Sequence, residues 1–373
     1  MRLSFPYNEI LPKYSAHDAY LFRNCASLAA QGLEVELACG RGSWPLERLE
    51  AHYQWPRSGI TLTRLPILRR NFLPFSWNRI FFSATQRHLE RKRPDWVALS
   101  VLKQGIHHLD RRIAGVRYVY EVHELAWYPG APMDARRERR RALERAMLEK
   151  ANLVTVTTEA LRGILLAPPY SLTVPVKVIP LAVRHAALPP PSPGTSLRAM
   201  YIGQLYSGQG LELLLAALAQ TRGIELTVVG GKADEIARLA AQAATLRLGD
   251  RVRFLGFHPP SELDRLAEAA QVFVAPFEAS GRMAYVAHTK LLEYAAWGRP
   301  VIAPDLPVVR EHFPGGEGLA VFQAGSPESL AATLNQLQRQ PDAMAALQRG
   351  IARHRVTTWP ERAARYLAAL STT

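Results

Sequence analysis

Cysteine is nearly missing from this chain: Cys25 and Cys39 are the only two in 373 residues, and neither has metal-ligand spacing around it. A reducing compartment fits that scarcity. No apolar run approaches the roughly 18 residues of a membrane span, and the opening MRLSFPYNEI lacks the long apolar core of a signal peptide. The expected location is the cytoplasm. No short-period repeat and no segment dominated by one residue type is present, which excludes solenoids and extensive disorder. Acidic residues are in deficit, with 32 Asp plus Glu against 46 Lys plus Arg and a net charge of +14. Such an excess suits nucleic acid, anionic lipid or an anionic substrate. Its distribution narrows the choice, because residues 1–185 hold 28 basic against 16 acidic side chains and the remainder 18 against 16. The N-terminal half carries nearly all of it.

What is present is ordinary globular material, 48% apolar and 21% charged. A chain of this length exceeds one hydrophobic core, so two domains are expected. Short β-branched or apolar runs alternate with helical patterns: MRLSF, LEVELAC, ITLTRL, WVALSV, VRYVYEV, LVTVTT and VKVIPL. That alternation predicts an α/β fold with a parallel sheet covered by helices. The first helix places Leu21, Cys25, Leu28 and Ala29 on one face and stops at Gly32. The segment RHAALPPPSPGTSL at 184–197 can hold neither a helix nor a central strand. It predicts an N-terminal domain over 1–185, a linker over 186–197 and a C-terminal domain over 198–356. In the second domain LRAMYIG, ELTVVGG, RVRFLGF, QVFVAPF, PVIAP and LAVFQ repeat the grammar. A last helix at 357–373 begins near Trp359-Pro360 and is expected to cross back to the first domain.

Parallel α/β sheets bind ligands just beyond the carboxyl ends of their strands. After YIG, the run Gly203, Gln204, Leu205, Tyr206, Ser207, Gly208, Gln209, Gly210 opens a helix, and glycines there let backbone amides approach a phosphate. Val228-Val229-Gly230-Gly231 with Lys232, and Phe254-Leu255-Gly256-Phe257-His258, end two further strands and suit a flat base against backbone and an apolar wall. Each would equally serve as a plain strand-to-helix turn. The stretch from Pro276 to Ala303 carries more. A loop of small residues containing Tyr285, His288 and Thr289 leads into a helix with Lys290 in its first turn and Glu293 one turn on. A diphosphate suits that helix end, and the carboxylate suits ribose hydroxyls. The competing reading is a surface pair of Lys290 and Glu293.

Taken in order, GQLYSGQG, VVGG, GDRVRFLGF and HTKLLEYAAWGRPVIAPDLPVVRE resemble the family 4 retaining glycosyltransferases of the GT-B fold across about 198–340, with VYEVHE and LERAMLEKANLVTVTTEAL extending the likeness upstream. The resemblance implies two Rossmann-like domains facing a central cleft, a nucleotide-sugar donor on the second and the acceptor on the first. It also implies retained anomeric configuration, no metal and no cofactor. The donor expected is a UDP-sugar, with a GDP-sugar second. Glu293 matches the second glutamate of the family's paired motif, which binds the donor ribose. The first is absent, since Tyr285 stands eight residues before Glu293. His123 matches the cleft histidine and, with Lys290, is assigned to catalysis. Gly203, Gln204, Ser207, Gly208, Gln209, Gly230, Gly231, Phe257, Tyr285, His288, Thr289 and Glu293 are assigned to the donor. Tyr14, Ser15, His17 and Glu124 are assigned to the acceptor. The family's phosphate arginine and lysine fall near Gln204 and Gln209, both neutral here, so Lys290 is expected to compensate.

The alternatives are a sugar-nucleotide epimerase of the same fold and a catalytically lapsed, nucleotide-sugar-binding partner protein. The basic helix from Asp134 to Lys150 mixes Arg136, Arg137, Arg139, Arg140 and Arg141 with Glu138, Glu144 and Glu149, and no nucleic-acid module accompanies it. Nucleic acid is therefore not an expected partner. An anionic membrane surface is, because Leu68 to Phe82 interleaves basic and bulky apolar residues in a +12 domain. Peripheral docking on the inner face of the membrane is the corresponding location.

Overall fold

The structure, a computed structural model, describes the chain apart from Tyr14, residues 69–77, His185 and Pro193. It contains two compact units, Met1–Pro180 with Trp359–Thr373, and Leu181–Thr358.

The first unit runs β1 (Arg2–Ile10), α1 (Ala16–Ala29), β2 (Glu34–Gly40), α2 (Leu46–His52), β3 (Thr61–Leu65), α3 (Asn78–Lys92), β4 (Trp96–Leu99), α4 (Leu102–Leu109), β5 (Arg117–Val122), α5 (Ala135–Leu148), β6 (Leu153–Val156), α6 (Glu159–Leu166) and β7 (Val176–Val178). Its seven strands lie in the order β3-β2-β1-β4-β5-β6-β7, and every pairing is parallel. The second unit runs β8 (Leu197–Ile202), α7 (Leu211–Ala219), β9 (Ile224–Val229), α8 (Ala233–Thr245), β10 (Val252–Gly256), α9 (Pro260–Ala267), β11 (Val272–Val274), α10 (Thr289–Ala296), β12 (Val301–Pro304), α11 (Pro307–His312), β13 (Leu319–Phe322), α12 (Pro327–Arg339) and α13 (Pro341–Arg353). Its six parallel strands follow the order β10-β9-β8-β11-β12-β13. The last helix, α14 (Trp359–Ser371), packs on α1 in the first unit.

Both sheets reverse their strand order once, between β1 and β4 and between β8 and β11, and such switch points leave a crevice at the strand ends. The strand interiors read as continuous apolar runs because helices cover both faces; Trp96, Val97, Val272, Phe273 and Val274 are all fully buried. Leu21, Cys25 and Leu28 of α1 are buried as their spacing requires, and Gly32 closes the turn beyond with φ +85°.

Three expectations need correction. The first strand does not stop at MRLSF: β1 continues to Ile10 with an irregularity between Tyr7 and Ile10, so the loop before α1 is shorter than the sequence suggests. Residues 186–197 are not a free linker either. Ala186 and Leu188 donate backbone hydrogen bonds to the Ala296 and Trp297 carbonyls at 3.4 and 3.1 Å, and Arg299 Nη2 reaches the Pro189 carbonyl at 2.5 Å. Proline removes donors but leaves acceptors, and here those acceptors are used. The chain passes between units at 180–181 and 358–359 instead. Finally, Leu68 to Phe82 falls largely outside the described residues, and its described end is divided within α3: Arg79 and Ile80 are exposed, whereas Phe81 and Phe82 are buried.

Candidate active site

In the second unit the two loops that flank the switch between β8 and β11 meet. Glycine makes their approach possible. A Cβ on Gly210, whose φ is +76°, would lie 1.9 Å from the Pro276 carbonyl oxygen, and one on Gly230, at φ +109°, 2.2 Å from that of Gly203. The Glu278 amide donates to the Gly208 carbonyl at 3.1 Å, joining the loops again. Gly203, Gly230 and Gly231 thus serve close packing of the turns. Gly208 differs, because beyond its positive φ a Cβ there would meet nothing within 4 Å.

Lys290 sits in the first turn of α10. Its Nζ donates to the Tyr201 hydroxyl at 2.9 Å and to Gln209 Oε1, and it lies 4.5 Å from the Tyr201 ring centroid. These partners are all neutral. Burial pushes its pKa down to about 7, against a smaller upward pull from Glu293. Tyr201 is fully buried and donates to the Gln204 carbonyl at 2.6 Å. Tyr294, four residues after Lys290, donates to the Ile202 carbonyl at 2.8 Å and accepts from the Ile202 amide at 2.9 Å. It also stacks on Phe273 at 4.2 Å. These bonds pin α10 to the end of β8 and so place the ammonium. Among the described residues no side chain caps α10; its Leu291 amide donates to the His288 carbonyl at 3.0 Å, and the Thr289 and Lys290 amides ahead of it suit an anion.

The other assigned donor residues divide into open and closed. Gln204, Ser207, Thr289 and Glu293 are exposed around the crevice, and Phe257 is 76% exposed beyond β10. Gln209 is buried and held by Lys290. Tyr285 and His288 turn inward. His288 stacks on Phe277 at 3.9 Å, its Nε2 lies 2.9 Å from the Met283 carbonyl, and burial lowers its pKa to about 3. These two shape the loop instead of lining an open surface.

In the first unit a second cluster gathers at the ends of β1 and β5. The His123 ring meets His17 and Tyr20 edge-on, both at 5.3 Å between centroids. Its Nε2 is 3.8 Å from Glu121 Oε1, too far for a hydrogen bond. Burial lowers His17 to about 4, with His123 adding to the shift. Burial also holds His123 below the ordinary histidine value although Glu121 pulls the other way. Both imidazoles are neutral at pH 7. Burial alone would raise the Glu121 carboxyl, but Arg362, His123 and the Tyr20 hydroxyl hold it below the usual range. Ser15 is committed elsewhere, since it caps α1 through Asp18 and its hydroxyl donates to Asp18 Oδ1 at 2.6 Å. Glu124 is exposed at the end of β5, and Tyr14 lies outside the described residues.

Sequence reasoning missed Tyr201, Tyr20, Glu121 and Arg362. Glu121 did leave a signal, because a carboxylate inside the buried run VRYVYEV must find a partner. Arg362 left none, its partners lying 182 to 342 residues away in the sequence.

The comparisons with known proteins bear on the family and the fold. Residues 17–182 match the family model described as a glycosyl transferase 4-like domain, and residues 196–340 the one described as glycosyl transferases group 1. No curated protein sequence matches. Among solved structures, sucrose-phosphate synthase from Thermosynechococcus elongatus superposes with a TM-score of 0.79 at 20% identity, covering 100% of both chains. HepE from Anabaena, solved with UDP and glucose, gives 0.74 at 15%, again over 100% of both. The lipopolysaccharide outer core galactosyltransferase WaaB gives 0.70 at 13%, over 100% of this chain and 99% of that one. At these identities the structural likeness is one of fold.

Proposed function

Because the chain belongs to the group 1, family 4 glycosyltransferases of the GT-B fold, enzymes that draw on a nucleotide-sugar donor, we propose that it moves a sugar from a UDP-sugar to a hydroxyl acceptor with retention of configuration and without a metal. The observation that carries the donor side is the placement of Lys290. It is a partly buried amine with neutral partners, beside an uncapped helix end, at the switch crevice of the second sheet. A departing diphosphate develops charge, and a fixed ammonium with aligned amides stabilises it without solvent reorganisation. Glu293, one turn along α10, takes the ribose hydroxyls, and the exposed Phe257 ring takes the base. The acceptor binds at the His17 and His123 cluster of the first unit.

The choice of UDP draws support from HepE, whose structures hold UDP and UDP-glucose. Peripheral docking to an anionic membrane draws on the basic first unit. Arg136, Arg139 and Arg140 are exposed along α5, and the apolar Met133 and Leu143 are exposed beside them.

The test is a thermal-shift and turnover screen against UDP-, GDP- and ADP-sugars. A UDP-sugar at a hundred times its Kd should add about 2.7 kcal/mol of stability and be slowly hydrolysed, with EDTA changing neither. Binding without turnover on any acceptor would favour the lapsed partner protein. An epimerised nucleotide sugar as product would favour the epimerase. No response to any of the three bases would end the reading.

A further inference from the structure

Arg362 is a fully buried guanidinium on the C-terminal helix, and its donors are spent on one small region. Nη2 donates to Glu121 Oε1 at 2.6 Å and to the Tyr20 hydroxyl, which in turn donates to the same carboxylate oxygen. Nη1 reaches the carbonyls of Ile179 and Pro180, both at 2.6 Å, and Nε reaches Asn24 Oδ1 at 3.1 Å. The arginine therefore grips the chain where it leaves the first unit and stands on the segment where it returns. Its ion pair with Glu121 lies directly behind His123, whose Nε2 is buried with no hydrogen-bond partner among the described residues.

A buried ion pair is a poor device for stability alone, since the desolvation of two charges offsets their attraction and well-packed apolar residues would hold α14 as well. What the pair adds is a fixed, oriented field at His123. We propose that Glu121 and Arg362 are positioning residues of the transfer reaction, setting the electrostatic field in which the His123 imidazole works, so that docking of the C-terminal helix completes the half-site of the first unit. This rests on the proposed function in assigning His123 to the reaction. The groups that face His123 are His17 and Tyr20 from α1, Glu121 and Glu124 from β5 and its end, and Arg362 from α14. Of the two charges in the pair, Glu121 favours protonated His123 and Arg362 disfavours it. The pair thus acts on the imidazole with opposite signs.

The test uses full-length Glu121→Gln, Arg362→Met and the double variant, with the His123 resonance titrated by NMR and transfer measured against pH. The His123 titration should move to lower pH in Glu121→Gln and to higher pH in Arg362→Met, with the acid limb of the transfer profile following it. Turnover should fall about ten-fold in each, a part of the roughly 10²- to 10⁴-fold that a positioned acid–base group contributes, while UDP-sugar binding stays unchanged. Arg362→Lys keeps the charge and should keep the titration near that of wild type. Where a single variant is too unstable, the double variant decides, because no buried charge is left unpaired: reduced turnover supports the pair's role and full turnover overturns it. An unmoved His123 titration in both singles overturns it as well. A wild type that binds no nucleotide sugar would instead defeat the proposed function, and the opposed NMR shifts would still report on the Glu121–Arg362 pair.

Discussion

At Lys290 the neutral surroundings, not the charge alone, decide the chemistry. Removing this ammonium from the bound diphosphate costs about 1.5–3 kcal/mol, the range for hydrogen bonds to charged groups. Lys290→Ala should therefore lower kcat/KM roughly ten- to a hundred-fold, and steady-state kinetics would read it. Gln209→Ala should cost less. The sequence alone suggests that a lysine at 209 would restore a missing cation. The structure reverses that, because Gln209 Oε1 already accepts from Lys290 and a second ammonium would face the first in a buried pocket. Gln209→Lys should destabilise the donor-free protein, with nucleotide sugar restoring part of the loss; full donor-free stability would count against the placement. The pH dependence has a definite sign. With Lys290 near 7 in the fold against 10.5 for an unperturbed lysine, the unfolded chain binds the extra proton between those values, so donor-free stability rises with pH across that window. A diphosphate needs the charged form, so UDP-sugar affinity should fall above pH 7, by at most about ten-fold per unit. Calorimetry at pH 7 and 9 measures it, and Lys290→Ala should flatten the dependence. Glu293→Ala should weaken donor binding by about 1.5–3 kcal/mol by stranding the ribose hydroxyls, and an unchanged Kd would remove Glu293 from the site. Lys290 and Glu293 were legible because both stand on one helix after one loop. Tyr201 and Arg362 were not, because their roles depend on partners that only the fold brings near.

At the scale of elements, periodicity and breaker residues announced both parallel sheets, down to the turn at Gly32 and the helix begun at Trp359. The strand order, and with it the switch crevice, lies in long-range pairing that no local window contains. Extended β1 escaped notice because Pro6, Asn8 and Glu9 read as a loop, yet Pro6 and Asn8 are buried within the strand. The element that most constrains the site is the turn from β8 into α7. Gly210 combines a left-handed backbone with a Cβ position 1.9 Å from the Pro276 carbonyl oxygen. Gly210→Ala should cost the roughly 1–2 kcal/mol of a non-glycine left-handed residue, plus the displacement of the loop that carries residues 276–288. Gly208→Ala should bear the first cost only, its Cβ space being open. Urea denaturation with and without UDP-sugar separates the two. Equal stability and equal nucleotide response in both variants would show that loop contact to be dispensable.

At the scale of the whole molecule the charge is the unspent feature. Lys290 of the donor site and Arg362 of the Glu121–Arg362 pair both lie beyond residue 185, so neither draws on the +12 over residues 1–185. Part of it is structural, as when Arg137 and Arg141 donate to the carbonyls of Pro132 and Pro169 at 2.9 and 2.6 Å. Arg136, Arg139 and Arg140 are different, exposed along α5 with Leu143 52% exposed on the same stretch. Among the described residues no helix is long and apolar enough to cross a membrane, and the proposed docking to lipid rests on this exposed surface. Each basic side chain near an anionic bilayer contributes about 1 kcal/mol, and the attraction fades within a Debye length. Reversing all three arginines to glutamate removes that attraction and adds repulsion, so partitioning onto anionic vesicles should fall at least about a hundred-fold, while donor turnover in solution stays as it was. Co-sedimentation at low salt with phosphatidylglycerol vesicles and neutral phosphatidylcholine vesicles makes the comparison. Binding to the anionic vesicles that vanishes at high salt and in the triple variant supports docking through α5. Equal binding by wild type and variant would move the surface elsewhere on the first unit, and no binding at low salt would leave the charge to the acceptor alone.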